Sequence, residues 1–261
     1  MILSETILAV LSGVAVGFSL GLIGGGGSIL AVPLLLYIVG VRDPHVAIGT
    51  SALAVAVSAF ANFLSHWRAG TVKWDSALLF ASGGLIGAVI GSTLGKLFDG
   101  QRLLLLFSLI MFAAGSAVLR PRSLAGDAEA KLNSAAVMRL LLLGFAAGVI
   151  SGFFGIGGGF LVVPGIMLGS GLPILNAIGS SLFSVGTFGL TTAVNYALSG
   201  LVDFKIALLF ILGGAVGGFF GIRACVRLGS HKHVLNYVFA AIVFTVAVYM
   251  LVRSGLQVFS A

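Results

Sequence analysis

Residues 13–33 read GVAVGFSLGLIGGGGSILAVP, and residues 144–164 read GFAAGVISGFFGIGGGFLVVP. When the two stretches are aligned, four glycines and the closing proline of the first fall on glycines and a proline of the second. The similarity continues beyond them, because AIGTS at 47–51 matches AIGSS at 177–181. A shared order of this length is typical of an internal duplication. We therefore predict that the two halves of the chain form equivalent structural units.

The composition is that of a membrane-embedded protein. Of its 261 residues, 59% are hydrophobic and 8% are charged, whereas a soluble domain carries about 25% charged residues because it needs a hydrated surface. Apolar runs such as 76–95 and 204–222 are long enough to cross a bilayer, which takes about 20 helical residues. They alternate too little with polar residues to be barrel strands. We predict an all-α integral membrane protein, multi-pass, in the cell inner membrane or plasma membrane.

Other classes of protein are not indicated. The net charge is +7, but Lys and Arg lie at the ends of apolar runs, where they anchor helices to lipid headgroups, so no nucleic-acid partner is expected. The single cysteine, Cys225, cannot form an internal disulfide and is interpreted as a small apolar filler. The sequence contains no HExxH motif, no P-loop and no other catalytic motif. We therefore predict neither an enzyme nor a cofactor.

Each half divides into five apolar segments in the same order, with a short segment directly after the glycine cluster. The short segments, 28–40 and 159–171, have 13 residues each. They reach about 20 Å, less than the roughly 30 Å of a bilayer core. We therefore predict short glycine-broken half-helices there, and about eight long transmembrane helices at 5–23, 45–66, 75–96, 102–119, 137–154, 175–198, 204–222 and 233–252.

Two arrangements of the halves are compatible with these segments. If each glycine-containing pair crosses once as a broken helix, the halves are parallel and the 14 Lys and Arg residues divide eight to six between the two sides. If each pair forms a hairpin, the halves are inverted and the division is nine to five, which the positive-inside rule favours. We predict inverted repeats at 1–119 and 137–261, a cytoplasmic connecting loop at 120–136, and both termini outside.

The glycine clusters at 24–27 and 157–159 predict breaks in the helices. Each glycine weakens a helix by roughly 1 kcal/mol relative to alanine, and broken helices persist in a membrane where the freed backbone lines a cavity or is buried in protein. The helix after each cluster would direct free N–H groups and a positive dipole end at the break, which favours an anion. The spaced glycines at 13–24 and 144–155 are typical of close helix packing, and packing stays the alternative for the clusters.

Polar residues recur on the segment after each short helix. Asparagine is costly in lipid and is expected to face the bundle interior, as a ligand or as a contact between helices. A histidine, His66, is expected at the interface beside Trp67 and Arg68. Acidic residues fall only at segment ends or in loops, so no buried carboxylate is predicted for a proton relay. The recurring positions are Ser51, Ser58, Asn62 and His66 in the first half and Ser181, Ser184, Thr191 and Asn195 in the second.

The motif LGLIGGGGSILAVP at 20–33, repeated as SGFFGIGGGFLVVP at 151–164, resembles that of the TauE/SafE family of membrane permeases, also called the sulfite exporter family. The resemblance covers nearly the whole chain, including its duplication. It implies transport of sulfur-containing anions or small organic acids, with sulfite, thiosulfate and sulfonates as the usual substrates. The second cluster departs from the first at Ile156, where the first half has Gly25, so the two halves need not contribute equally.

We predict a secondary transporter that binds a small anion between the two glycine breaks without a metal or cofactor. No Lys or Arg is predicted at that depth, so backbone N–H groups and neutral side chains would be the donors. An anion channel, or a permease for small organic carboxylates, is the alternative. Membrane lipid is the other expected partner, and a homo-oligomer is compatible with the sequence. The predicted substrate-binding residues are Gly25, Gly26, Gly27, Ser28, Ser51, Asn62, Gly157, Gly158, Gly159, Ser181 and Asn195.

Overall fold

The computed structural model describes residues 3–23, 25–119, 132–227 and 232–259 of the chain. Within these ranges the protein is helical, and no β-strand is present. The helices lie within a few residues of the predicted segments. In chain order they are α1 (Leu3–Ile23), α2 (Ala31–Leu34), α3 (Pro44–Arg68), α4 (Trp74–Leu97), α5 (Gly100–Leu119), α6 (Ser134–Phe154), α7 (Gly159–Ser170), α8 (Ile174–Ala197), α9 (Phe204–Arg227) and α10 (Lys232–Phe259).

The first predicted short helix, at 28–40, is a composite of three helical pieces. A 3-10 helix, Gly25–Leu30, leads into α2, and a π-helix, Leu35–Val39, completes the segment. Glycines disfavour a regular helix at the start of this stretch, and Pro33 within α2 has no N–H to donate, so the winding of the backbone changes twice. Residues 25–39 are called the α2 segment below.

Six helices among the described residues are long and apolar enough to cross a membrane, namely α1, α3, α4, α6, α8 and α9. The described parts of α5 and α10 add shorter apolar stretches, Gly100–Ser116 and Ala240–Leu256. Large apolar side chains remain exposed on the outside of the bundle, including Ile86 and Phe220, each 58% exposed. An apolar surface of this extent is suited to lipid and not to water. The chain is therefore a multi-pass membrane protein, as predicted.

Acidic side chains lie at the beginnings of helices. Asp43 accepts a hydrogen bond of 2.8 Å from a backbone N–H in the first turn of α3. Asp99 and Asp203 accept similar bonds at the starts of α5 and α9, and Glu5 and Asp75 lie in the first turns of α1 and α4. A carboxylate in this position satisfies free N–H groups and faces the positive end of the helix dipole. The prediction that acidic residues lie at helix ends is confirmed for the residues that the structure describes.

Glycines let α1 and α9 pack with their backbones in contact. Gly13 of α1 faces the backbone of Phe210, and one turn later Gly17 faces the backbone of Gly214. The residue numbers rise together along both helices, so α1 and α9 run parallel. A larger side chain at either glycine of α1 would meet backbone atoms of α9, and this is the close approach that small residues permit between membrane helices.

The same contact recurs between α4 and α6. Gly144 faces the backbone of Phe80, and Gly148 faces the backbone of Gly84, so these helices are parallel as well. The four residues are the repeat equivalents of those that join α1 and α9. The interpretation of the spaced glycines as packing residues is therefore confirmed at these positions. Each half of the chain packs its first helix against a helix of the other half.

The central helices α3 and α8 run in opposite directions. Gly49, near the start of α3, lies against Tyr196, near the end of α8. At the other end, Asn176 in the first turn of α8 donates a hydrogen bond of 3.0 Å to the carbonyl of Thr71, just beyond α3. Short turns then reverse the chain after each of these helices, from α3 into α4 and from α8 into α9. Consequently α3 runs parallel to α9, and α8 runs parallel to α4.

The helices on either side of the second glycine cluster form a hairpin. A Cβ on Gly158, just before α7, would lie 2.9 Å from the Cβ of Ser151 on α6. A Cβ on Gly169, near the end of α7, would lie 2.7 Å from the side chain of Leu140, near the start of α6. As residue numbers increase along α7, the residues that it contacts on α6 have decreasing numbers. The two helices are therefore antiparallel, and α7 returns alongside α6. The α2 segment returns along α1 in the same way.

Candidate anion site

The break between α6 and α7 is a loop at residues 155–158. Gly155, Gly157 and Gly158 all have positive φ, between 65° and 67°, a conformation that residues with a Cβ rarely adopt. Gly158 is also the N-cap of α7 and offers no side chain to the first N–H groups of that helix. The sequence GIGG therefore forms a sharp turn that leads into an uncapped helix N-terminus.

This loop lies at the middle of the two central helices. A Cβ on Gly157 would lie 2.8 Å from Val55 and 2.9 Å from Val185. Val55 is close to the midpoint of α3, and Val185 is close to the midpoint of α8. The glycine break of the second half is thus deep inside the helical bundle, at the depth where transporters expose backbone groups to their substrates.

Ser151 of α6 faces the N-terminus of α7 without a hydrogen-bond partner. Its side chain is 0% exposed, and its Oγ makes no hydrogen bond. A Cβ on Gly158 would lie 3.2 Å from this Oγ. Leaving a buried hydroxyl unsatisfied costs about 1–3 kcal/mol, and helical serines commonly avoid the cost by donating to a carbonyl one turn back. The Ser151 hydroxyl is therefore available to a ligand at the start of α7.

The first half provides a different surface at the equivalent depth. Leu20, which is buried, stands where the second half has Ser151. Gly27 packs against the backbone of α1 beside Leu20, and Ser28 is fully buried. The two glycine breaks therefore differ chemically, because α1 has no hydroxyl at the position equivalent to Ser151.

The remaining glycines of the predicted site lie in the 3-10 helix of the first half and in α7 of the second half. Gly25 and Gly26 begin the 3-10 helix, and Gly159 is the first residue of α7. That 3-10 helix is in contact with α7, so the two breaks adjoin each other inside the bundle. The first residue of the predicted cluster, Gly24, lies outside the described residues.

Ser51 and Ser181, at equivalent positions, both donate to backbone carbonyls. Ser51 Oγ donates to Ile48 O at 2.9 Å and lies 3.2 Å from Gly155 O. Ser181 Oγ donates to Ile178 O at 2.8 Å. Ser51 therefore ties the glycine loop to α3, and it affects the site through the position of that loop. Neither hydroxyl has a free proton for an anion in this arrangement.

The two predicted asparagines lie toward opposite ends of the central helices. Asn62 is half-buried in the later part of α3, where its amide oxygen would lie 3.7 Å from a Cβ on Gly218 of α9. Asn195 is in the last turns of α8, and because α3 and α8 are antiparallel, it lies level with the first turns of α3. The structure does not bring Asn62 and Asn195 together. Their role as ligands of one anion stays a prediction.

Asn195 instead belongs to a polar cluster that the sequence analysis missed. Lys96 Nζ, at the end of α4, donates to Asn195 Oδ1 at 2.8 Å, to Asn195 O at 3.1 Å and to Ser199 Oγ at 2.8 Å. Asn195 Nδ2 donates to Ser92 Oγ at 2.6 Å and to Thr93 Oγ1 at 3.0 Å. The sequence feature that could have indicated this cluster is the spacing of Ser92 and Lys96, which puts both residues on one face of α4. We call Lys96, Asn195 and Ser199 the Lys96 cluster.

Among the other singled-out polar residues, His66 and Thr191 have local partners. His66 lies at the end of α3, as predicted, with its Nδ1 3.0 Å from Thr71 Oγ1. Thr191 Oγ1 donates to the carbonyl of Thr187 at 2.8 Å. Ser184 Oγ is buried without a partner. No group of His, Cys, Asp or Glu side chains among the described residues is arranged to hold a metal ion.

A multi-pass bundle whose helices are broken at the level of its central pair is the architecture of membrane transporters, and this is the class of protein that the fold defines. The profile of the sulfite exporter TauE/SafE family matches residues 9–250. The chain belongs to the TauE/SafE family.

Curated relatives agree with this assignment. The chain is 51% identical over 258 residues to a protein of Xylella fastidiosa (strain 9a5c) named "Probable membrane transporter protein", an alignment that covers 97% of this chain and 98% of the relative. It is 32% identical over 240 residues to "Probable membrane transporter protein YunE" of Bacillus subtilis, with 84% and 88% covered. No solved structure matches the chain. The protein is a membrane transporter of the plasma membrane.

Proposed function

We propose that this protein is a secondary transporter that moves a small sulfur-containing anion, such as sulfite, thiosulfate or an organosulfonate, across the plasma membrane. The observation that carries the proposal is the buried hydroxyl of Ser151, which faces the N-terminus of α7 without a partner. The description of the family as sulfite exporters supports the sulfur chemistry of the substrate.

Electrostatics favours an anion at the glycine breaks. The N-terminus of a helix presents free N–H groups and about half a positive elementary charge, and Ser151 adds a hydroxyl donor at the start of α7. Backbone N–H groups of residues 25–28 and 157–159 would complete the shell, and Ser51 holds the adjoining loop through its contact with Gly155 O. Such neutral donors bind an anion less tightly than a bidentate arginine does. Release on the far side of the membrane therefore stays fast, as transport requires.

We further propose that residues 1–119 and 137–261 are inverted repeats joined by a cytoplasmic loop at 120–136. The helix directions support this arrangement, because α1, α3 and α9 run one way and their repeat equivalents α6, α8 and α4 run the other way. Parallel repeats would give each helix and its equivalent the same direction. With α5 and α10 included, eight helices cross the membrane, while the α2 segment and α7 are half-spans.

Purified protein tests the proposed substrate class. Thermal unfolding is measured with sulfite, thiosulfate, sulfoacetate, taurine and simple carboxylates, since a ligand that binds the folded state raises the unfolding temperature. We expect saturable stabilisation by at least one sulfur oxyanion, and saturable counterflow of that anion in proteoliposomes. Stabilisation by carboxylates alone would assign a different substrate class. Flux that does not saturate would indicate a channel, and the absence of any response would contradict an anion transporter.

A further inference from the structure

The Lys96 cluster lies at one mouth of the bundle, at the ends of α4 and α8, whereas the glycine break of the second half lies deeper. Tyr196 connects the two places. Its Cβ would lie 2.8 Å from a Cβ on Gly49 in the first turns of α3. The first turns of α3 also contact the glycine loop at 155–158, because Ser51 Oγ lies within hydrogen-bond distance of Gly155 O. Tyr196 therefore lies between the Lys96 cluster and the turn of α3 that contacts the glycine loop.

Lys96 carries a positive charge that has only neutral partners among the described residues. Its three hydrogen bonds go to the amide oxygen and the carbonyl of Asn195 and to the hydroxyl of Ser199. Its side chain is half-buried, so water screens the charge less than it would on an open surface. A half-buried ammonium without a carboxylate partner attracts small anions to the mouth.

Tyr196 and His45 add unpartnered polar atoms beside this charge. Tyr196 is 0% exposed, and its hydroxyl has no hydrogen-bond partner. Lys96 Nζ lies 5.9 Å from the centroid of the Tyr196 ring, and the imidazole of His45 lies 6.3 Å from it, centroid to centroid. The Nδ1 atom of His45 is also buried without a partner. Buried polar groups are normally satisfied, so the two orphaned atoms, one on Tyr196 and one on the neighbouring His45, indicate that a polar ligand belongs beside Tyr196.

The carboxylates at this end of the bundle include Asp43, Asp99 and Asp203, and each of them caps a helix. Asp43 caps α3 by accepting a hydrogen bond from the backbone N–H of His45 at 2.8 Å. Its side chain is exposed, so water screens its negative charge. Lys96, held deeper between α4 and α8, places a positive charge near the ring of Tyr196, and Asp43 acts on the same residue from the rim.

We propose that Lys96, Tyr196 and His45 form a second anion-binding site, an entry site that takes the transported oxyanion before it reaches the N-terminus of α7. The repeat equivalents of these residues are Val226, His66 and Leu175, so the equivalent positions of the other half do not supply the same side chains. The proposal rests on the proposed function for the identity of the ligand, a sulfur oxyanion, and thiosulfate is the probe used below.

Chemical protection of Lys96 tests the entry site directly. The detergent-solubilised full chain is treated with an amine-acylating reagent at constant ionic strength, with thiosulfate or with chloride, and acylation of each lysine is followed by peptide mass spectrometry. We expect saturating thiosulfate to slow acylation of Lys96 by about tenfold. Lys205, an exposed lysine at the start of α9 on the same side of the bundle, is the matched control and should react at an unchanged rate. Equal rates at Lys96 in both salts overturn the proposal.

Three variants separate charge from packing. Lys96→Gln keeps a hydrogen-bond donor near Asn195 but removes the charge, so the initial rate of thiosulfate uptake at low concentration should fall by about tenfold. Lys96→Arg restores the charge and most of the rate. Tyr196→Phe removes a hydroxyl that no protein group uses, so the unfolding temperature should rise or stay level while thiosulfate binds about tenfold more weakly. Lys205→Gln should match the wild type in every measurement.

The outcomes distinguish the entry site from the transport function. If the wild type transports thiosulfate and all these variants behave like Lys205→Gln, the Lys96 cluster is only a cap for the end of α8, and the proposal is wrong while the proposed function stands. If the wild type neither transports thiosulfate nor shows protection of Lys96, both ideas fail for this anion. Protection of Lys96 without transport would support the entry site alone.

Discussion

The hydroxyl of Ser151 is costly to the folded protein unless a ligand uses it. We expect Ser151→Ala to raise the unfolding temperature, because it removes a buried unsatisfied group worth about 1–3 kcal/mol. The same change should weaken binding of the transported anion by about tenfold, because a hydrogen bond to a charged group contributes about 1.5 kcal/mol or more. Thermal unfolding and anion titration of the purified variant measure the two effects.

Ser12 provides the control for this experiment. Its Oγ is also buried without a partner, on α1. Ser12→Ala should therefore raise the unfolding temperature in the same way and leave anion binding unchanged. If Ser151→Ala binds and transports like Ser12→Ala, the hydroxyl at the start of α7 is not a ligand.

Substitutions of the glycines themselves are less informative than the sequence suggests. From the sequence alone, a valine at Gly27 or Gly158 is expected to abolish binding by blocking the approach of an anion to the backbone, while the protein stays inserted in the membrane. In the structure, a Cβ on Gly27 would collide with the backbone of α1, and Gly158 has a positive φ and faces Ser151. Both variants would therefore disturb the fold together with the site, so the serine variants are the cleaner test.

At the scale of helices, the parallel pair α1 and α9 depends on the absence of side chains. Gly17→Ala would place a methyl group against the backbone of Gly214, and overpacking of this kind costs about 1–3 kcal/mol. Gly148→Ala should cost a similar amount, because the same contact joins α6 to Gly84. Unfolding of the purified variants in denaturing detergent measures the loss.

Gly255 is the matched control on α10. A Cβ there would meet nothing within 4 Å, so alanine adds helix propensity without a clash. Gly255→Ala should stabilise the protein by up to about 1 kcal/mol. If Gly17→Ala and Gly255→Ala have the same effect, the close packing of α1 on α9 does not contribute to stability.

Most of the helices could be predicted from the sequence, because spans and glycine breaks are encoded in local composition. The segment at 159–171, for example, is bounded by glycines and corresponds to α7, Gly159–Ser170. The partners of those helices could not be predicted. Nothing local in the sequence shows that Gly17 meets Gly214, since a stripe of small residues fits any helix of similar shape. Predicting the α2 segment as one helix also missed its 3-10 and π pieces.

The candidate site was predictable in part, for a related physical reason. A glycine cluster is sufficient to predict a broken helix, so the loop at 155–158 and the start of α7 were expected. Ser151 was not, because a single serine in a helix is ordinarily bonded to its own backbone, and only the fold shows that this one is not. Lys96 was interpreted as a headgroup anchor, and its contact with Asn195 depends on how α4 packs against α8.

At the scale of the whole molecule, the inverted arrangement predicts where two equivalent positions emerge. Ala69 follows α3 and Leu198 follows α8, and both are exposed. In a background without Cys225, we expect Ala69→Cys to be labelled by a membrane-impermeant thiol reagent only from the cytoplasm, and Leu198→Cys only from outside. Ala135→Cys, at the start of α6, should behave like Ala69→Cys. Labelling of Ala69→Cys and Leu198→Cys from the same side would contradict inverted repeats.

The exchange of partners between the halves also sets a schedule for biosynthesis. The glycine face of α1 leaves the ribosome before its partner α9, so Gly13 must wait for Phe210. At 5–20 residues per second this delay is on the order of 10–40 s. During that interval α1 lies in the bilayer with a bare stripe of backbone exposed to any other helix. A late helix therefore completes the packing of an early one, and a nascent chain interrupted before α9 lacks the helix that covers the glycine face of α1.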